Sequence, residues 1–104
     1  MNPEWYTPET EKKKPNPREF HVRGLDGLEA LDVVGEIAFE NGELKVGGRA
    51  LRSALKMGLL GMRLTDGESI DKDTLPTIDP LTLRDVAIKI INKTNLSGEE
   101  EKKS

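Results

Sequence analysis

The stretch EIAFENGELKVG (36–47) constrains this chain most, because Asn41-Gly42 lies between two alternating apolar runs. Asn and Gly tolerate positive φ at both central positions of a type I′ turn, whose twist matches that of antiparallel strands. A β-hairpin is therefore predicted, with Ile37, Phe39, Leu44 and Val46 as candidates for one buried face.

The flanking segments read as a strand and three helices. EFHVRGL (19–25) alternates as a short strand does. LDGLEALDVV follows as a helix, with Asp26 as N-cap and Glu29 completing a capping box. Leu28 and Leu31 are expected on its inner face, and Gly35 ends it. After the hairpin, Leu51, Ala54, Leu55 and Gly58 recur at helical spacing, with Gly58 as a C-terminal cap. A polar connection leads on, with a short extended piece at 62–65. The last helix starts at Asp79-Pro80, an N-cap followed by proline at the first helical position. Its apolar stripe is Leu83, Val86, Ala87, Ile90 and Ile91. The order predicts an α+β fold, a small antiparallel hairpin or sheet with about three helices packed on it.

Both ends read as flexible tails. Residues 1–18 hold Pro3, Pro8, Pro15, Pro17 and an EKKK run, and are expected to form a disordered leader. Residues 19–96 form the single domain, and 97–104 a charged flexible tail. With 35% hydrophobic and 4% aromatic residues the core must be small and aliphatic, so self-association would help it.

Composition also excludes chemistry. The chain has no cysteine, which removes disulfides, thiolate nucleophiles and thiolate metal sites. His21, the one histidine, reads as a strand residue, and Ser53, Ser69 and Ser97 have no base beside them. No metal-ligand spacing or cofactor fingerprint is present, so the expectation is a protein that is not an enzyme and takes no cofactor. No apolar run approaches a membrane span, which predicts a soluble, cytoplasmic protein with no membrane partner.

The net charge of −3 conceals segregation. Residues 24–44 contain no Lys or Arg, whereas 45–63 contain Lys45, Arg49, Arg52, Lys56 and Arg63 and no acid. At 100° per residue Arg49, Arg52 and Lys56 fall within an arc of about 60°, on a different face from Leu51 and Leu55. This basic helix face is either simply solvated or a contact for an acidic partner. Gly47-Gly48 at its start turns the chain from hairpin to helix, although two glycines before cations could also cradle a phosphate. GLLG (58–61) beside it could clamp a nucleic-acid backbone, but the acidic whole and the lack of interleaved aromatics argue against nucleic acid. Trp5 and Tyr6, half of the aromatics, stand in the leader. They either fold back on the core or serve as a short docking peptide.

Several segments in order, NPEWYTP, FHVRGLDGLE (20–29), GRALRSALKMGLLG (48–61) and AIKIINKTNLSGEEEKKS, resemble the small tail assembly chaperones of long-tailed bacteriophages and prophages. In similar proteins an aromatic often follows the second helix, where this chain has Met62. The resemblance implies a non-enzymatic protein of the bacterial host's cytoplasm. It would bind the tape measure protein and recruit tail tube subunits, and would be absent from the finished tail. It also implies a longer frameshifted form, for which adenine-rich codons at Lys102-Lys103 would suit. On this reading Trp5 and Tyr6, or Arg49, Arg52 and Lys56, contact the partner, and the rings are buried by something other than the chain's own core. A small nucleic-acid-binding regulator using helix 48–58 and a structural tail component are the alternative readings.

Overall fold

A computed structural model of the chain describes residues 3–94, apart from the side chains of residues 38–40, 43 and 44. The expected tail 97–104 and the end of the domain at 95–96 lie outside the described residues.

The architecture is α+β. Strands β1 (Glu4–Tyr6), β2 (Arg18–Val22), β5 (Leu59–Leu64) and β6 (Ser69–Ile70) form a four-stranded sheet in the order β1-β2-β5-β6, antiparallel throughout. Strands β3 (Ile37–Glu40) and β4 (Glu43–Val46) form a separate hairpin. Helices α2 (Gly27–Val34), α3 (Gly48–Gly58) and α4 (Pro80–Lys93) are joined by a short α1 (Glu9–Lys12) and a 3-10 segment at Lys72–Thr77.

The hairpin forms as its turn residues require: Asn41 has φ 51° and Gly42 φ 79°, and Ile37 pairs with Val46 and Phe39 with Leu44. Ile37 and Val46 pack against the core, and the expectation for Phe39 and Leu44 lies outside the described side chains. Register in the larger sheet explains its core face. Tyr6, Phe20, Met62 and Ile70 stand opposite one another across all four strands, a continuous row facing the helices. Between the pairs His21–Gly61 and Val22–Leu59 the register skips Leu60, a bulge that leaves Leu60 exposed while Leu59 enters the core.

Helix α2 has the predicted capping box. The Asp26 side chain accepts from the Glu29 N–H at 2.8 Å, and the Glu29 carboxylate accepts from the Asp26 N–H at 3.1 Å. The face it buries is a correction. Ala30 and Val33 point inward, whereas Leu28 is 80% and Leu31 64% exposed. An eight-residue helix with leucines and small aliphatics on opposite arcs can present either one, and close packing against α3 selects the smaller pair. Helix α4 starts as predicted, with Asp79 accepting from the Thr82 N–H at 3.0 Å and proline in the first turn, and buries Val86, Ala87, Ile90 and Ile91.

The leader is a second correction. Residues 3–18 are not a disordered arm, because β1 adds to the sheet edge and the segment is tied along one side of α4. Glu4 Oε1 meets Lys93 Nζ at 2.8 Å and Lys89 Nζ at 3.5 Å, Tyr6 Oη donates to Asp85 Oδ1 at 2.8 Å, and the Thr10 and Thr82 hydroxyls are hydrogen-bonded. Thr82, Asp85, Lys89 and Lys93 lie three or four residues apart, so they form one polar stripe on α4 beside its apolar one. Glu11 closes the segment. It is wholly buried, and it accepts from Arg18 Nε at 3.0 Å, Arg18 Nη2 at 2.7 Å, the Arg18 N–H at 2.9 Å and Lys14 Nζ at 2.6 Å.

Gly58 is the third correction. It ends α3 but makes no left-handed cap, because the chain passes straight into extended Leu59. Its requirement is space. A Cβ there would press on Ile90 Cγ2, far inside contact distance, and lie 3.1 Å from the Arg23 carbonyl oxygen. We expect Gly58→Ala to destabilise the protein by about 1–3 kcal/mol despite alanine's better helix propensity. Urea unfolding of the two proteins checks this.

Stability should also follow the charge on Glu11. Hydrogen bonds from Arg18 hold its carboxyl well below the ordinary range, down to about 2. A depressed carboxylate contributes stability above its unfolded pKa of about 4.5 and loses it as pH falls toward about 2. Glu11→Gln should therefore lower Tm at pH 7, with the gap to wild type closing between about pH 5 and 2. Thermal melts across that range measure it.

Candidate partner-binding site

Helix α3 places Arg49, Arg52 and Lys56 on its exposed face, as its periodicity predicts, while Ala50, Ala54 and Leu55 turn inward. These cations overhang a cleft of about 580 Å³ between α3, the start of α4 and the 3-10 segment. Leu55, Leu75, Pro76 and Leu83 supply its apolar surface, and Ser53 and Glu36 complete the rim. Leu75 and Leu83 are half-buried against the core beneath, so the cleft is a gap in the core's covering. Alongside, a hollow of about 410 Å³ between α2 and α3 shares Glu36, Ser53 and Lys56 and adds Asp32 and Met57.

The electrostatics distinguish these three cations. Elsewhere the fold occupies most of its basic side chains. Arg18 pairs with Glu11, Arg23 Nη2 with Glu29 at 2.6 Å, Arg63 Nε with Glu19 at 2.7 Å, and Lys93 with Glu4, while Lys72 Nζ donates to the Leu59 carbonyl at 3.0 Å. Arg49, Arg52 and Lys56 make no ion pair or side-chain hydrogen bond among the described residues; of the other cations only Lys13 and Arg84 share that state. Three unpaired cations beside one apolar cleft suit a ligand that brings both carboxylates and apolar surface.

The aromatics are placed differently from the basic stripe, and neither lines the cleft. Tyr6 packs against the core, and its hydroxyl is bound to Asp85. Desolvation first, and then that carboxylate, push its pKa up to about 12. It is thus used within the chain, where the resemblance had led to the expectation of burial by another molecule. Trp5 lies on the opposite face of the sheet, 36% exposed, stacked on His21 with ring centroids 4.5 Å apart and with the Arg63 guanidinium 3.9 Å from its ring centroid. His21 is a strand residue, as its position suggested, and serves as Trp5's platform.

GLLG does not form a backbone clamp, since Gly58 closes α3 and Gly61 stands inside β5. Sequence reasoning passed over Leu75 and Pro76, which sit in a stretch read as a polar connection; their signal was two apolar residues among charged ones. Among the described residues no helix is long and apolar enough to cross a membrane. Comparison with known proteins finds no matching family model, no matching curated protein and no matching solved structure.

The stacked geometry carries its own test. His21→Ala removes the platform, so Trp5 emission should shift to the red and become more easily quenched by acrylamide. The sheet should stay folded by circular dichroism, because the imidazole contributes nothing to the core. An unchanged emission spectrum would mean that the stack does not persist in solution.

Proposed function

We propose that this protein is a non-enzymatic tail assembly chaperone of the bacteriophage kind, acting in the bacterial host's cytoplasm. It binds the tape measure protein and brings tail tube subunits to it. The observation that carries the reading is the set of unpaired cations, Arg49, Arg52 and Lys56, over the apolar cleft of Leu55, Leu75 and Leu83. A long helical client exposes apolar stripes that aggregate before assembly, and a groove with a charged rim covers such a stripe reversibly. The ordered segments that resemble those chaperones, from NPEWYTP to the last helix, support the same reading.

Co-expression with the tape measure protein of the same phage or prophage tests it. The expected outcome is a soluble complex with the chain, loss of that complex in Arg49→Glu/Arg52→Glu/Lys56→Glu, and no copy of the chain in purified tails. Recovery of the chain from mature particles would instead make it a structural component. Steeply salt-dependent nucleic-acid binding without any protein complex would make it a regulator.

A further inference from the structure

The geometry points to a more specific ligand for the cleft: we propose that it takes an acidic amphipathic α-helix whose carboxylates recur at i, i+3 and i+7. This rests on reading the cleft as a protein-docking site, but not on the client being a tape measure protein.

The first argument is spacing. At 1.5 Å per residue, Arg49, Arg52 and Lys56 are offset along the α3 axis by about 4.5 and 6 Å. A second helix lying alongside reproduces those offsets with its own residues i, i+3 and i+7. An extended peptide presents same-side groups about every 6.8 Å and falls out of step.

The second argument is sign. The three cations have no intramolecular partner among the described residues, so an incoming carboxylate displaces water and not an existing ion pair. A basic helix would meet uncompensated repulsion over about two turns.

The third is the floor. Leu55, Leu75 and Leu83 give apolar ground for one stripe of such a helix, and Arg49, Arg52 and Lys56 line the same cleft, where carboxylates on the helix flank would meet them. Glu36, the one carboxylate on the rim, lines both hollows with Ser53 and Lys56 and disfavours an acid in the ligand at that side, which gives the bound helix a direction.

The test uses the full chain and two fluorescein-labelled 18-residue peptides. One is helix-forming, with leucines on one stripe and glutamates at i, i+3 and i+7 on its flank; the other carries lysine for each glutamate. Fluorescence anisotropy in low salt should show the acidic probe binding at least tenfold more tightly than the basic one, with the difference shrinking as salt rises. Arg49→Glu/Arg52→Glu/Lys56→Glu should reverse the preference, whereas Arg84→Glu, at an exposed and equally unpaired cation that does not line the cleft, should leave it unchanged. All three substituted residues are exposed, so the variant should keep its fold, which circular dichroism checks. Equal binding of the two probes, or acidic binding that survives the reversal, overturns the proposal. So does a cleft filled by a second copy of the chain, seen as self-association that the reversal abolishes while neither probe is taken up. If the acidic probe binds as expected and the tape measure protein does not, the ligand chemistry stands and the chaperone reading falls.

Discussion

Nearly every part of this fold depends on helix α4 having two usable faces. Its apolar stripe, Val86, Ala87, Ile90 and Ile91, closes the core over Phe20 and Val22, and its polar stripe, Thr82, Asp85, Lys89 and Lys93, holds the leader. The two stripes lie side by side, so the leader is ordered by the same element that seals the core. At its C-terminal end, Thr94 Oγ1 donates to the Ile90 carbonyl and accepts from the Leu25 N–H at 3.0 Å, fixing the turn between β2 and α2 to the helix. Gly24 lies so near the Lys93 carbonyl that a Cβ would be 2.7 Å from it. One helix therefore sets the position of the leader, the central strand and the start of α2.

Glu11 shows how a segment with little apolar surface can be held in place. A lone buried carboxylate would cost several kcal/mol, and removing one partner of a buried pair is typically destabilising by about 3–5 kcal/mol. Here the cost is met locally, because Arg18 approaches the carboxylate with two guanidinium nitrogens and its own N–H, and Lys14 adds a fourth donor. The pair joins the end of α1 to the start of β2, so it closes a short loop whose entropy cost is small. The exposed Lys12–Glu9 pair contributes far less, since water screens both charges.

Signals that are complete within a few residues were legible in the sequence. Asn41-Gly42, the Asp26–Glu29 capping box and Asp79-Pro80 each specify their local geometry by themselves, and all three appear where they were read. The α+β class followed from their order. Features that depend on distant partners were not legible. The leader looked unfoldable because it buries few apolar groups, yet it is held by a three-residue ladder and by charges some seventy to ninety residues away in the chain. The choice between Leu28/Leu31 and Ala30/Val33 was made by the surface facing α2. Strand β5 was legible only in its second half, where the extended piece read at 62–65 overlaps it; its start was hidden because Gly58 and Gly61 resemble punctuation, whereas one permits close helix packing and the other lies inside a strand beside the bulge. Of the candidate site, the cationic stripe was legible from α3 alone; its apolar floor needed three elements to come together.

The segregation of charge along the chain bears on what the cleft admits. A nucleic acid demands a basic surface that continues along its backbone, because each phosphate adds another charge to be matched. The cations lining this cleft are three, Arg49, Arg52 and Lys56. In sequence the segment 24–44 before α3 has no Lys or Arg, and Glu36 from it stands on the rim. A polyanion longer than the stripe would find no further cation lining the cleft and would meet Glu36, while a helix offering two turns of acid needs only these three. The shortness of the stripe thus restricts by length what the three cations select by sign, and both restrictions favour a short acidic face on a protein over a charged polymer.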